Sequence, residues 1–254
     1  MRVVCIGAGN VATHLAIALS SMGVLVSQVW SQDRKNAEIL AALTQAEAFS
    51  DWAALDRSAD CYLIAVKDDA IAAVCSHLAG VTGIVLHTSG ATAMDILKGA
   101  GTGYGVLYPL QTFSRTKAVD LTQVPFCIEG DREETTEKIR AIAQLLSPLV
   151  SEVSSRQRTI LHLGAVFACN FSNHLYLLSQ QILEAHQLSF DLLRPLVLET
   201  ALKVQSASPA DVQTGPAVRK DAATLKTHLA LLQDSPELCR IYELLSRSIG
   251  KTLL

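Results

Sequence analysis

The first two dozen residues carry the tightest constraint on the fold. Residues 2–6 form a short apolar strand pattern that runs directly into Gly7-Ala8-Gly9 and then into an amphipathic helix pattern closed by Gly23. In the spacing Gly7-x-Gly9-x-x-Ala12, each small residue has its own task. Gly7 permits a tight strand-to-helix turn, Gly9 leaves the backbone open to a pyrophosphate, and Ala12 lets the helix lie close to the strand. The helix start at Asn10 and Val11 points N–H groups and the positive end of the helix dipole at the same place. The expectation is a dinucleotide phosphate held by Gly7, Ala8, Gly9, Asn10 and Val11.

The alternation of elements down the chain fits that opening. Strand patterns at 2–6, 24–30, 61–66, 84–88, 104–107 and 124–128 alternate with helix patterns at 10–22, 33–44, 51–56, 69–79, 93–98 and 133–147. Runs such as CYLIAV and GIVLHT are apolar throughout, as in parallel strands buried on both faces. Beyond residue 153 the strand signals stop. Helical patterns follow at 156–186, 190–206, 216–232 and 236–250, with Ser189 and Asp191 as caps of the second and Pro195 in its first turn. The predicted class is α/β: a parallel-sheet dinucleotide-binding domain over 1–153, then an all-α domain over 154–254.

Composition narrows the partners. The chain has 254 residues, 50% of them hydrophobic, and a formal net charge of -3. No basic excess points to nucleic acid or an anionic membrane. Such an apolar chain suggests extra surface covered in a subunit interface. The cysteines at 5, 61, 75, 127, 169 and 239 stand singly without zinc spacing, so they read as reduced thiols of a cytoplasmic protein. No leader pattern precedes the first strand. The most membrane-like stretch, 160–178, contains two His and two Asn and reads as a buried helix of a soluble protein.

The second strand decides the form of the dinucleotide. NAD sites usually end that strand on a carboxylate for the ribose 2′-hydroxyl. Here Ser31 takes the position, and Ser31, Arg34 and Lys35 suit a 2′-phosphate, which favours NADP(H). Asp33 either displaces that reading or caps the next helix, leaving Arg34 and Lys35 as surface charges. Ala65 and Val66 fall at the carboxyl edge of the sheet, with Asp68 or Asp69 as an N-cap. His87, Thr88 and Ser89 end the next strand, facing the crevice or forming an ordinary polar loop. The loop YPLQTFS, 108–114, mixes apolar and polar residues without a helix period, as pocket linings do, and Glu129 reads as structural.

In the helical half, His162, Asn170 and either Asn173 or His174 share one face of a helix otherwise apolar and expected to be buried. They form either a buried hydrogen-bond network or a substrate-facing stripe. Further on, Pro216 is placed to enter a helix that carries Arg219, Asp221, Thr224 and His228. Arg219 suits a substrate carboxylate or a surface pair with Asp221.

With both halves laid out, the chain resembles a family of Rossmann-like oxidoreductases with a helical C-terminal domain of unknown function. The resemblance runs nearly end to end, on IGAGNVATHLA, LIAVKDDAI, HTSGA, YPLQTFS, EGD, HLGAVFACNFSNHL and TGPAVRKD with TLKTHL. The architecture is similar to ketopantoate reductase, pyrroline-5-carboxylate reductase and the 6-phosphogluconate dehydrogenase group. The resemblance implies NADP(H), a homodimer through the helical domain, and a C-terminal domain like that of 6-phosphogluconate dehydrogenase. Hydroxy-acid dehydrogenases of the wider group carry Lys-x-x-x-Asn. If Asn170 matches that Asn, Val166 stands where the Lys would be. His162 or His174 is then the candidate acid–base group, with Asn170 positioning the substrate and Arg219 binding its carboxylate beside Asp221. Two readings result. One is an NADP(H)-dependent reductase of a small carbonyl or imine, a keto acid such as ketopantoate among them. The other is a non-catalytic NADP(H)-binding sensor or partner protein.

Overall fold

In the computed structural model, which describes residues 1–114 and 117–252, the sheet has eight strands in the order β3-β2-β1-β4-β5-β6-β7-β8. They are β1 Arg2–Ile6, β2 Leu25–Trp30, β3 Glu47–Phe49, β4 Cys61–Ile64, β5 Ile84–His87, β6 Gly103–Pro109, β7 Phe126–Gly130 and β8 Val150–Glu152. Every pairing is parallel except β6 with β7. The strand order reverses between β1 and β4, and a crevice opens beyond the carboxyl ends of such strands. The architecture is the expected one: a Rossmann-like, mostly parallel sheet followed by helices.

The strands are buried because they are apolar on both faces. Val3 and Cys5 join Leu15, Leu19, Leu63 and Leu86 in one cluster; Val4 and Ile6 join Tyr62, Ile64, Ile71 and Leu78 in the other. Cys5, Cys61, Cys75 and Cys127 are buried free thiols. Burial pushes the Cys5 thiol up to about 12. Helices α1 (Asn10–Ser21), α2 (Arg34–Thr44), α3 (Ile71–Ser76) and α4 (Glu133–Leu146) flank the sheet. Three of the expected helices contract. Residues 52–54 and 94–97 form single 3-10 turns, and 68–70 is a 3-10 turn before α3. None of these stretches holds an apolar stripe long enough for α-helix. Lys67 is the N-cap residue of the 68–70 turn and makes no side-chain cap, so neither Asp68 nor Asp69 caps it.

The chain divides into two compact units, Met1–Asn170 and Phe171–Leu254. The first therefore includes helix α5 (Ser155–Ala165), entered through a capping box of Ser154 and Gln157, and most of a π-helical turn, Val166–Phe171. That turn interrupts the single helix expected over 156–186. The second unit holds α6 (Ser172–Ala185), α7 (Arg194–Ser206), α8 (Ala222–Leu231) and α9 (Pro236–Thr252). Ser189 caps a 3-10 turn at 190–192 rather than α7, and Asp191 pairs with Arg194. Helix α8 starts at Ala222, not Pro216, because Lys220 takes a left-handed φ of 55° and the Asp221 carboxylate accepts the Thr224 N–H. The His228 Nδ1 and Tyr242 Oη share a 2.7 Å hydrogen bond from α8 to α9.

The helical residues are not buried as expected. No described residue after Arg158 is buried within the chain. Phe167, Leu192, Leu196, Leu231 and Leu244 are all more than 60% exposed.

Candidate cofactor and active site

A cavity of about 620 Å³ opens at the carboxyl edge of the sheet, entirely within the first unit. Its floor is the turn after β1. Gly7 has a φ of 121°, and a Cβ built there would sit 2.2 Å from the Ala65 carbonyl oxygen. Only glycine tolerates both the conformation and the closeness of β4. Gly9 differs: its φ is -80°, and a Cβ there would meet nothing within 4 Å. The N-terminus of α1 has no side-chain cap, so its first N–H groups are left for a ligand. Ala8, Asn10 and Val11 line the same floor, and Ala65 and Val66 line the β4 side. These features fit a dinucleotide pyrophosphate.

Two contacts hold a loop against α1. Asn10 Nδ2 donates to the Phe113 carbonyl at 2.9 Å, and His14 Nε2 lies 2.9 Å from the Ser114 carbonyl oxygen. Gln111 of that loop lines the cavity, so YPLQTFS contributes to the wall.

The end near β2 is lined by Trp30, Ser31, Gln32 and Asn36. Asp33 is the cap of α2, accepting from Lys35 N and Asn36 Nδ2, both at 3.0 Å. Arg34 pairs with Glu38 at 2.9 Å, and neither Arg34 nor Lys35 lines the cavity. The fork left open by the sequence resolves towards Asp33 as a cap.

The opposite end is built by three elements. Thr88, Ser89 and Gly90 follow β5, Tyr108 is the penultimate residue of β6, and His162 comes from α5. Tyr108 Oη and His162 Nδ1 share a 3.2 Å hydrogen bond, with their rings edge to face at 6.2 Å. Gly90 makes this possible, since a Cβ there would lie 2.7 Å from His162 Nδ1 and 2.8 Å from Tyr108 Cζ. Ser89 Oγ accepts the N–H groups of Ala91 and Thr92, which fixes the loop.

A buried ion pair locks α5 to this loop. Arg158, only 1% exposed, donates to Glu129 Oε2 at 2.5 Å, to the Thr92 carbonyl at 2.6 Å and to the Ser89 carbonyl at 3.2 Å. Glu129 also accepts the Ser155 N–H at 2.8 Å and its hydroxyl at 2.7 Å. Arg158 stands one helical turn before His162, so the pair sets where the imidazole points. Sequence reasoning took Glu129 as structural, named Tyr108 only as part of the pocket-lining loop 108–114, and passed over Arg158. The signal was present in part: Arg158 and His162 are four residues apart on one helix face.

The remaining candidates lie outside this cavity. His87 ends β5 fully buried, its Nδ1 accepting the Ser89 N–H at 3.2 Å, and does not line the wall. Burial, with Arg158 adding to it, lowers its pKa to about 4, so it stays neutral. Asn170, His174 and Arg219 are exposed. Neither Asn170 nor His174 is among the residues that line the cavity with His162, and Asn170 lies within the π-helical turn Val166–Phe171. Asp221 is the cap of α8, and its hydrogen bonds from Thr224 hold its carboxyl below the usual range.

A protein of Bacteroides fragilis assigned as an NADP oxidoreductase is 42% identical, with 98% of each chain covered and a TM-score of 0.93. The chain belongs to that oxidoreductase family. Residues 1–82 match the model described as an oxidoreductase family with an NAD-binding Rossmann fold. Residues 124–249 match a domain of unknown function, DUF2520. More distant structures share the fold. An imine reductase of Myxococcus stipitatus in complex with NADP+ is 16% identical, with a TM-score of 0.66 over 100% of this chain and 93% of that one. A pyrroline-5-carboxylate reductase of Coxiella burnetii is 17% identical, with a TM-score of 0.55 over 99% and 97%. No curated protein matches the chain in sequence. Among the described residues, no cluster of His, Cys, Asp or Glu is arranged to hold a metal ion, and no helix is long and apolar enough to cross a membrane.

Proposed function

We propose that this chain is an NADP(H)-dependent reductase delivering a hydride to a small carbonyl or imine compound, with keto acids such as ketopantoate the first to try. One observation carries the reading: a single cavity runs from the open Gly9 turn to the hydrogen-bonded Tyr108 and His162. The nicotinamide supplies the hydride; the chain supplies orientation and a proton. NADP(H) is favoured over NAD(H) because Asp33 spends its carboxylate on capping α2. That leaves the hydroxyl of Ser31 and the amides of Gln32 and Asn36 along the wall to donate hydrogen bonds to a 2′-phosphate. All six cysteines are free, which agrees with a cytoplasmic setting.

The working form is proposed to be a homodimer through the helices. The support is the apolar surface the helices leave uncovered: no described residue of the unit is buried within the chain, and Leu192, Leu196, Leu231 and Leu244 are more than 60% exposed.

The test is NADPH oxidation against a panel of 2-keto acids, aldehydes and cyclic imines. Turnover of any class supports the reductase. Tight NADPH binding with no turnover across the panel favours a sensor instead.

A further inference from the structure

We propose that Tyr108 is the proton donor of the reduction and that His162 orients and reprotonates it, so that the preferred reacting group is a C=O, as in a keto acid, rather than a protonated imine. This deepens the reductase reading and rests on it.

Three observations support the assignment. Both side chains line the cavity that begins at the dinucleotide turn, and they touch each other at 3.2 Å. The pair is built with care: Gly90 leaves no room for any side chain, and Arg158 anchors α5 one turn before His162. Finally, Tyr108 is 8% exposed near the end of β6, a rigid strand rather than a loop. Burial, with Cys127, Asp68 and Cys169 adding to it, raises the phenol above its usual range, and Arg158 opposes that rise. The phenol therefore keeps its proton at neutral pH.

The step balances. The carbonyl carbon receives a hydride from the reduced nicotinamide, which is oxidised. The C=O π pair moves to oxygen, which takes the phenolic proton. The tyrosinate then takes the proton on His162 Nδ1; a water gives its proton to Nε2 and leaves as hydroxide to the solvent, and exchange of the imidazole with solvent returns the proton to Nδ1, so each turnover consumes one hydride from the nicotinamide and one proton from water. A positioned tyrosine or histidine within hydrogen-bond reach of the reacting atom can act as a general acid, and the raised phenol guarantees that Tyr108 holds a proton to give. A carbonyl oxygen needs this proton, whereas an imine that is already protonated does not.

The test compares full-length wild type with Tyr108→Phe, His162→Gln and Lys67→Met. Lys67 and Asp68 are the other ionisable residues on the cavity wall, and Lys67 is the alternative proton donor. NADPH affinity is measured first and should agree within about two-fold in wild type, Tyr108→Phe and His162→Gln, and all turnover is measured at saturating NADPH. If wild type fails to bind NADPH, the reductase reading itself falls. Reduction of pyruvate is then compared with reduction of 1-pyrroline at a pH where the imine is protonated. Tyr108→Phe should lower pyruvate turnover about 100-fold or more and 1-pyrroline turnover less than about five-fold. His162→Gln should lower pyruvate turnover less and displace its pH profile. Equal losses on both probes, no loss, or a selective pyruvate loss in Lys67→Met would overturn the assignment.

A readout independent of activity uses tyrosine labelled with 13C at Cζ, the Tyr108 signal being identified by Tyr108→Phe. In wild type that signal should report the hydrogen bond to His162, shifting when His162→Gln removes the imidazole, and it should move on adding NADPH. If neither probe is reduced, this readout decides: a Tyr108 signal blind to His162 or to NADPH overturns the proposal.

Discussion

Gly7 and Gly9 stand two residues apart in one turn, yet they should fail in opposite ways. At Gly7 any side chain strikes the Ala65 carbonyl and strains a φ of 121°. Gly7→Ala should cost about 2 kcal/mol or more, seen as a lower denaturation midpoint without any ligand present. Both glycines were legible because their signal is local. Arg158 was not, because its partner Glu129 lies 29 residues away on a strand. Arg158→Leu should cost about 3–5 kcal/mol, because it leaves the Glu129 carboxylate with its charge uncompensated. Adding Glu129→Leu should restore part of that loss in urea titrations. His87 gives a pH signature. Its folded pKa, about 4, lies below its unfolded value of 6.5, so the unfolded chain binds the extra proton between those values. Stability from this group is present above the unfolded pKa and is lost as pH falls towards 4, by about 3 kcal/mol. Stability curves of wild type and His87→Phe should therefore diverge in slope between pH 6.5 and 4. Parallel slopes would contradict the burial argument.

At the level of elements, the long strands were readable as unbroken apolar runs. The two three-residue strands β3 and β8 were not, since they carry too few residues to show a pattern. The π-helical turn after α5 was also hidden: VFACNF continues a helical composition, and only the hydrogen bonding changes. It places Asn170 inside a π-helical turn, outside the regular α-helical spacing that the sequence reading assumed. The start of α5, by contrast, follows from Ser154 and Gln157 in capping-box spacing. Ser154→Ala should cost about 1 kcal/mol in chemical denaturation. A cost near zero would mean that Arg158 alone holds the helix start.

For the whole molecule, the sheet has its apolar residues inside and the helical unit does not. The sequence indicated helices there, but not what covers them, since composition is the same whether the partner surface is the same chain or a second copy. Sedimentation across micromolar concentrations should give the mass of a dimer, and a monomer throughout would contradict the homodimer. The central claim is that the turn at Gly7–Gly9 holds a dinucleotide. Gly9 tests it most directly, because a side chain there disturbs no packing. The measurement is NADPH titration of wild type and Gly9→Leu by thermal shift, with NADH in parallel. Wild type should be stabilised, by about 2.7 kcal/mol at 100 times the dissociation constant, and by NADPH more than by NADH. Gly9→Leu should melt at the wild-type temperature without ligand and gain nothing with it. A Gly9→Leu protein stabilised by NADPH as strongly as wild type would contradict the claim.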